Sequence, residues 1–538
     1  MSILPSLPSP TVASLLVTGA LLFFFNVPWN PLQRKRRRHL PPGPPRLPII
    51  GNAHQMPTRD MWAVFAEWGT KYGGIIHVDV IGKPLIILNS RKAAVDLLDM
   101  RSAIYSNRPH FVMAGDLVRY DESFTLLPYN ARWRAQRRIV AQEFAAGGPV
   151  ARYHAVQERE ARLLVRRLLD AQDSNSNSGT RRRQMRAEEL FAEMKLRIGT
   201  IIVRIAYGYN VQSPTDPFLT APLAAIANFA VASAPGNFMV DFIPALKYMP
   251  RWMPGAGFLE TADKWREILW DATWNVYWWS KSNLDTGKAH TPNLCAHNLR
   301  AKAADGATMS KDEEDTLVWA ATTVMGAGLD TNTSSALSFL MAMVMYPDVQ
   351  KKAQAEIDAV LGRERLPCIA DMRDMPYVRC VMTEVLRWSP GLPFAIPHSS
   401  REDDVYEGYD IPKNAIIMPN VWGMLHNPTD YPDPSQFNPD RYNLSDASMQ
   451  TVHDLVFGFG RRVCPGKHLA EGTLFAIVST VLATCDILPA LDEDGREVLP
   501  QYAYTPGTIM MPEPFSVRLR PRSEHARKLL FETPITVE

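Results

Sequence analysis

The chain has 538 residues, of which 46% are hydrophobic and 21% are charged. These fractions are typical of a globular protein and too apolar for a disordered one. The 58 lysine and arginine residues nearly balance the 56 aspartate and glutamate residues, and the net charge of +2 argues against a nucleic-acid-binding protein. The five cysteines are odd in number and form no C-x-x-C pair, which argues against a disulfide scaffold or a zinc ribbon.

The first 33 residues predict a membrane anchor. Residues 11–27 carry no charge, and the uncharged run extends back to residue 3, which is long enough to span a bilayer. Five consecutive basic residues, 34–38, follow this run, whereas a cleaved signal peptide carries its positive charge in front. We therefore expect residues 1–33 to be a single-pass signal anchor with the rest of the chain in the cytosol. A cleaved signal peptide and a buried core helix are the alternatives.

The rest of the chain predicts a hinge and one large domain. Residues 34–48 are basic and then proline-rich, which is typical of a stiff spacer. No later stretch has the composition of a domain linker, so residues 49–538 are expected to form a single body. Apolar periodicity predicts many helices and few strands, so the fold class is mainly α with small β-sheets. The clearest segments are helices over 92–100, 132–144, 156–171 and 190–207, a hairpin over 75–80 and 84–88, and short strands near Ile411, Ile416 and Phe515.

The longest predicted helix begins at a capping box, in which Ser310 precedes Glu313 by three residues. Its apolar character continues to about residue 345. Residues 326–331 interrupt it with two glycines followed by Asp330 and Thr331, although each interior glycine costs roughly 1 kcal/mol relative to alanine. Either another group approaches the helix closely beside a placed polar pair, or the segment is a buried kink with self-satisfied hydroxyls.

A cysteine motif lies near the C-terminus. Residues 457–466 read FGFGRRVCPG, and a mainly apolar helical pattern follows over 467–482. A cysteine at a helix start feels the positive end of the helix dipole, which predicts a lowered thiol pKa. Its glycines would let the backbone approach a flat ligand. Val463 stands where a dinucleotide fingerprint needs glycine, and Cys464 with His468 lacks a second ligand pair for zinc.

Taken together, these motifs resemble the cytochrome P-450 family. Residues 457–466 match its haem-ligand signature F-x-x-G-x-R-x-C-x-G at every fixed position. Trp133 and Arg137 match its W-x-x-x-R helix, residues 327–331 its oxygen-activation segment, and residues 384–387 its E-x-x-R motif. Residues 439–442 read PDRY where the family usually has P-E-R-F. The resemblance covers the whole chain and is closest to microsomal members of the fungal secondary-metabolism branch.

The resemblance implies the cytochrome P-450 fold after one N-terminal transmembrane helix, with residues 49–538 as the haem-binding catalytic domain. Cys464 would be the thiolate ligand of the iron in haem b, and Phe457 would pack near its sulfur. Asp330 and Thr331 would deliver protons during oxygen activation, although Asn332 stands where many members have Thr or Ser. The residues that would bond the haem propionates are Trp133, Arg137, His398 and Arg462, with Arg108 as a further candidate.

The implied activity is that of a haem-thiolate monooxygenase that activates O2 and oxidises a hydrophobic small molecule, such as a terpenoid, polyketide or indole. No flavin domain follows residue 466, so electrons would come from a separate NADPH-cytochrome P-450 reductase, or from cytochrome b5 as a second donor. The chain would lie on the endoplasmic reticulum membrane, with residues 242–258 dipping into lipid; a packed surface loop is the alternative. Isomerisation without external electrons and a non-enzymatic haem sensor are the other functions considered.

The family layout also assigns surfaces to the reductase and to the substrate. The reductase would meet four basic residues, Arg134, Arg138, Arg461 and Lys467. Five mainly apolar stretches would face the substrate: residues 111–113, 218–234, 318–325, 393–396 and 505–508.

Overall fold

The computed structural model describes residues 38–176, 184–234 and 236–535. The predicted anchor, residues 1–33, lies outside these ranges, as does the first part of the predicted hinge. Within the three ranges, no helix combines the length and the apolar character that a membrane span requires.

The described part of the hinge is held against the body. The backbone amide of His39 donates to the Asp410 carboxylate over 2.6 Å, and its ring stacks on Tyr409 at a centroid distance of 5.0 Å. The carbonyl of Pro42 accepts from the amide of His77 at 3.0 Å. A Cβ at Gly43 would lie 2.1 Å from the His77 carbonyl oxygen, so this segment passes close to the first strand.

The body is mainly helical, as predicted. A π-helical stretch, Val95–Met100, continues the second helix. The α-helices of the described ranges are α1 (Met61–Tyr72), α2 (Arg91–Ala94), α3 (Ser102–Tyr105), α4 (Ala131–Glu143), α5 (Gly148–Ala151), α6 (His154–Ser176), α7 (Ala187–Tyr207), α8 (Pro217–Ala232), α9 (Gly257–Asn283), α10 (Leu294–Ala304), α11 (Lys311–Met345), α12 (Pro347–Leu361), α13 (Pro376–Trp388), α14 (Val421–Leu425), α15 (Asp446–Val456), α16 (Lys467–Thr484) and α17 (Glu524–Glu532).

Small sheets flank the helices. Their strands are β1 (Ile75–Val80), β2 (Lys83–Leu88), β3 (His398–Ser399), β4 (Asp404–Tyr406), β5 (Tyr409–Ile411), β6 (Ile416–Pro419), β7 (Cys485–Leu491), β8 (Glu497–Val498) and β9 (Val517–Pro521). The largest sheet has four strands in the order β1-β2-β6-β3, with β1 antiparallel to β2 and β2 parallel to β6. A two-stranded sheet pairs β4 with β5, and a three-stranded sheet has the order β8-β7-β9.

Helix α11 lies at the centre of the body. Its capping box is formed as predicted, since the Ser310 hydroxyl accepts from the Glu313 amide and the Glu313 carboxylate accepts from the Ser310 amide. The helix runs for 35 residues, about 50 Å, without a break at its two glycines. It packs against α4, α7, α9, α13 and α16, and it stays helical through residues 326–331.

A buried carboxylate ties α13 to the segment around Asn438. Arg387 donates two hydrogen bonds to Glu384, each 2.9 Å long, and both side chains are fully buried. Arg441 donates to the same carboxylate at 3.1 Å, as does the Tyr442 hydroxyl at 2.8 Å. The phenol at position 442, where the family usually has Phe, thus contributes to the cluster. Because these charges are paired within the fold, the cluster serves the structure rather than a ligand.

Candidate active site

A large cavity lies between α11 and the cysteine loop, residues 457–465. Its volume is about 1180 Å³, and helix α4 and the segment around His398 complete its wall. Most of the predicted site residues line it, on elements that are far apart in the sequence. They are Trp133, Arg137, Thr331, His398, Phe457, Arg462 and Cys464.

The cysteine loop is a tight turn that aims Cys464 into the cavity. The Cys464 amide donates to the carbonyl of Phe457 at 2.6 Å, while Gly458 and Gly460 adopt φ of +85° and +51°. A Cβ at Gly460 would lie 2.3 Å from the carbonyl oxygen of Leu98, so this glycine serves packing of the protein rather than approach of a ligand.

The prediction of a lowered pKa for Cys464 is not met. Burial raises the pKa of its thiol, and this effect exceeds the opposing effects of the Gly466 amide and the Arg137 guanidinium. The helix start was read correctly, since α16 begins at Lys467, but desolvation outweighs a dipole end. A positively charged partner, such as a metal ion, would stabilise a thiolate at this position.

Three arginine side chains meet at the cavity and use backbone carbonyls as their partners. Arg462 donates to the carbonyls of Ser106, Phe124 and Leu127 over 2.6–2.9 Å. Arg108 donates to the carbonyls of Thr125, Ile396 and Pro397, and Arg137 donates to that of Val463. No carboxylate in the described part of the chain forms an ion pair with any of these three arginines.

This cluster carries buried positive charge without a counter-ion. Burial lowers the pKa of Arg462 to about 9, and the neighbouring Arg137 contributes. The pKa of Arg108 also falls well below its usual range, through burial and through repulsion from the other two guanidinium groups. Buried charges are normally paired, because an unpaired charge in a low-dielectric interior is strongly disfavoured. The cavity is therefore suited to an anionic ligand with more than one acidic group.

Two neutral groups beside the arginines also have hydrogen-bonding atoms that the protein does not use. Trp133 is buried and its indole N–H is without a hydrogen-bond acceptor in the structure. The Arg462 guanidinium lies 4.6 Å from the Trp133 ring centroid. His398 is fully enclosed, and its Nδ1 bonds the Tyr105 carbonyl at 2.7 Å, which leaves Nε2 for a ligand. Burial and the nearby Arg108 lower the pKa of His398, so without an anion the imidazole is neutral.

Helix α11 presents a small, open surface to the cavity. Ala327 is exposed although it lies in the middle of a buried helix, because its methyl group faces the cavity. Thr331, one turn later, donates its hydroxyl proton to the Ala327 carbonyl at 2.7 Å, and its oxygen can then accept a hydrogen bond from a ligand. Asn332 donates to the Gly328 carbonyl at 2.6 Å and also lines the cavity.

The two glycines of α11 do different work. Gly326 lines the cavity, where an added Cβ would meet only Ile226 at 4.0 Å. At Gly328, however, a Cβ would lie 2.8 Å from the Ile202 side chain, so this glycine allows α7 to pack closely. Only Gly326 thus fits the predicted close approach of another group at the site.

Asp330 does not share the cavity with Thr331. Its side chain is partly buried on a different face of α11, and its buried Oδ1 atom makes no hydrogen bond in the structure. Burial raises the pKa of Asp330, while Lys195 on α7 opposes the rise. The Asp330 carboxyl group is therefore not part of the cavity wall.

The far end of the cavity is mainly apolar. Stretches on α8 and α11 contribute as predicted, but Val112 and Met113 are fully buried and their amides donate to Asp241 instead. Several lining residues were not predicted, because no local pattern marks them. They include Tyr120 and Ser123 before α4, Leu269 and Ala272 on α9, and Ile509 near the C-terminus.

Comparison with known proteins identifies the family. The sequence model described as Cytochrome P-450 matches residues 41–519. The chain belongs to this family. Cytochrome P-450 monooxygenase 105 of Postia placenta is 46% identical over 531 residues, covering 99% of this chain and 98% of the relative. Monooxygenase 226 of the same fungus is 45% identical, covering 97% and 95%, and monooxygenase claR of Ampulloclitocybe clavipes is 36% identical, covering 92% and 89%.

Cytochrome P-450 proteins use haem, O2 and an electron donor, and the cavity fits haem. A haem molecule would bring two carboxylates, which the arginine cluster lacks, and a metal ion that Cys464 could bind as a thiolate. The unsatisfied Trp133 indole and the free nitrogen of His398 would supply further polar contacts for those carboxylates. The exposed Ala327 surface leaves room for a flat molecule beside α11.

We expect Arg137→Met to accelerate loss of haem. A charge-assisted hydrogen bond contributes about 1.5–3 kcal/mol, so the dissociation rate should rise about tenfold to a hundredfold. Transfer of haem to apomyoglobin, followed at the Soret band, measures this rate.

Arg138→Met is the matched control, because Arg138 is the next residue on α4 and is exposed to solvent. Equal rates in the two variants would contradict a role for Arg137 in holding haem.

Proposed function

We propose that the protein is a membrane-bound haem-thiolate monooxygenase that oxidises a hydrophobic small molecule with electrons from a separate NADPH-dependent reductase. One observation carries this proposal. A partly buried cysteine, an arginine cluster without a counter-ion among the described residues and a hydroxyl on a long helix all line one cavity whose wall is mainly apolar. This arrangement offers a thiolate, an anchor for two carboxylates, a proton-handling group and space for an apolar substrate.

Cys464 would bind the iron of haem b, and the propionates would be held by Arg137, Arg462, His398 and Trp133. Arg108 lies in the same cluster and joins this set. When bound, haem with a thiolate ligand supplies the chemistry that cleaves the O–O bond. Phe457 positions the sulfur, since its carbonyl accepts from the Cys464 amide and its ring lines the cavity.

Thr331 and Asp330 would handle protons in two different places. Thr331 already donates to Ala327, so its oxygen acts as an acceptor that orients a proton donor in the cavity. Asp330 lies on the adjacent face of α11, where burial raises its pKa and Lys195 opposes the rise. A carboxyl group with a raised pKa takes up and releases protons closer to neutral pH than an exposed one, which suits a relay from the outside.

Electrons would enter from the cysteine side. Arg134, Arg138 and Arg461 are exposed, and Lys467 begins the helix that follows Cys464. In the described part of the protein, none of these four side chains forms an ion pair with an acidic residue. A reductase or cytochrome b5 with an acidic face would therefore find free positive charge there, which mainly increases the association rate.

A patch of exposed apolar residues supports attachment to a membrane at another face. The exposed fractions are 91% at Ile49, 79% at Tyr248 and 81% at Trp252. The β1–β2 turn links the segment around Ile49 to the segment that leads to Tyr248 and Trp252. The Ile81 amide donates to the Ile50 carbonyl, and the Lys83 ammonium contacts the Asp241 carbonyl. Aromatic and basic residues together are typical of the membrane interface. With residues 1–33 as a signal anchor, this face would lie on the endoplasmic reticulum, with the catalytic domain in the cytosol.

Substrates would be apolar metabolites such as terpenoids, polyketides or indoles. The wall beyond Thr331 includes Ile226, Phe229, Leu269 and Trp319, which suit burial of hydrocarbon surface.

The carbonyl complex of the reduced protein tests iron ligation by Cys464. Thiolate ligation should give a strongly red-shifted Soret band, and Cys464→His should move that band to the position typical of imidazole ligation. A wild-type spectrum already at the imidazole position would refute the haem-thiolate assignment.

We expect Thr331→Ala to uncouple NADPH consumption from product formation. Without the hydroxyl, proton placement fails, so less product and more hydrogen peroxide should form for each NADPH consumed. Haem content should not change, because no iron ligand or propionate contact is removed. Measuring product, hydrogen peroxide and consumed NADPH with a substrate that the wild type oxidises tests this prediction.

Thr333→Ala is the control for this substitution. Thr333 makes the same intrahelical bond, to Leu329 at 2.8 Å, but is fully buried outside the cavity wall. Equal product-to-NADPH ratios in wild type and Thr331→Ala would remove Thr331 from the mechanism.

Protease added to sealed microsomes that contain the full chain should degrade the catalytic domain and spare only the N-terminal segment. In the same vesicles, a photoreactive benzoylphenylalanine in place of Trp252 should crosslink to lipid. A protected catalytic domain would disprove the predicted orientation.

Trp270 supplies the comparison site for crosslinking, because its exposed fraction is 52% but it lies on α9, away from the β1–β2 turn. Equal lipid labelling from positions 252 and 270 would contradict the proposed membrane face.

A further inference from the structure

Two hydroxyl groups face each other in the wall of the cavity. Ser123 lies before α4 and Thr323 lies on α11, and their oxygens are 2.8 Å apart. Both side chains are buried, with exposed fractions of 8% and 5%, and both line the cavity. A polar pair inside an apolar wall is disfavoured unless hydrogen bonds satisfy it, so its donors and acceptors can be counted.

The protons of both hydroxyls are already committed to the protein. Thr323 donates to the Trp319 carbonyl at 2.7 Å, so it must accept from Ser123. Ser123 in turn accepts from the Thr125 amide at 3.2 Å and donates to Thr323. A hydroxyl has one proton and two acceptor positions, so each oxygen keeps one free acceptor position and no free proton. The pair is therefore an acceptor-only site.

We propose that Ser123 and Thr323 select an apolar substrate that carries a hydroxyl group. A substrate hydroxyl can donate to either free acceptor position, whereas a ketone has only acceptors and would face two oxygens. A plain hydrocarbon would leave the pair unused. This inference rests on the proposed monooxygenase function and adds to it the polar group by which the substrate is held.

The position of the pair also sets a distance. Thr323 precedes Ala327 by four residues and Thr331 by eight on the same helix, or about 6 and 12 Å along the axis. The substrate hydroxyl would therefore be held on the order of 10 Å from the carbon that is oxidised beside Thr331. Oxidation is then expected at a site remote from the existing hydroxyl, and not at its own carbon.

Imidazoles with a tether test this inference in the haem-containing full-length protein. An N-alkylimidazole binds haem iron through its ring nitrogen and shifts the Soret band, so titration gives a Kd without catalysis. Three series, with tethers from butyl to decyl, should end in a hydroxyl, a methyl ketone or a methyl group. We expect the hydroxyl series to bind about three- to tenfold tighter than the ketone series at one intermediate length, as one hydrogen bond allows.

Either oxygen alone can still accept a hydrogen bond, so the double variant Ser123→Ala/Thr323→Val should abolish the preference for the hydroxyl without changing the Kd of the methyl-terminated series. Thr333→Val is the control, since it removes the same kind of intrahelical bond outside the cavity wall. A preference that survives in the double variant, or tighter binding of the ketone by the wild type, would overturn the inference. Absence of any Soret shift with all three series would instead overturn the proposed haem-thiolate function.

Discussion

The structure depends on how it handles buried positive charge. Around Glu384, the guanidinium groups of Arg387 and Arg441 find a carboxylate within the fold, and the cluster is closed. Around the cavity, Arg108, Arg137 and Arg462 find only carbonyls, and the cluster is open. Arginine is thus found both in a structural cluster and in a candidate ligand site. The two differ in whether the fold itself supplies a counter-ion.

The residues on different faces of helix α11 have different neighbours. Gly328 gives up its side chain so that α7 can pack, and Ala327 and Thr331 face the cavity. Asp330, between them in sequence, is directed towards the side of Lys195. Because successive residues of a helix are about 100° apart, Gly328, Asp330 and Thr331 point in different directions and have different neighbours. The glycines and polar residues that look unfavourable along the sequence are therefore each suited to a different neighbour.

Much of this could be predicted from the sequence, because local patterns encode local structure. The capping box at Ser310, the β1–β2 hairpin and the helices that were predicted agree closely with the structure, since caps, turns and apolar periodicity act within a few residues. The cysteine motif was informative for the same reason. The pKa of Cys464 was not predictable, because burial depends on chain segments distant in sequence. Ser123 was missed because its partner, Thr323, lies 200 residues away.

The hydrogen bonds of Arg108 are all made within the fold, but the described part of the fold supplies no negative charge to balance its guanidinium. This guanidinium donates three hydrogen bonds to backbone carbonyls but has no counter-ion among the described residues, and the charges of Arg137 and Arg462 lie near it. Cys464 has the opposite requirement, since burial disfavours its thiolate. Haem would answer both, because its carboxylates would bring negative charge to the arginines and its iron would bring positive charge to the sulfur. Any ligand that binds only the folded state stabilises it in proportion to its binding free energy. Haem held by these residues would therefore also stabilise the fold.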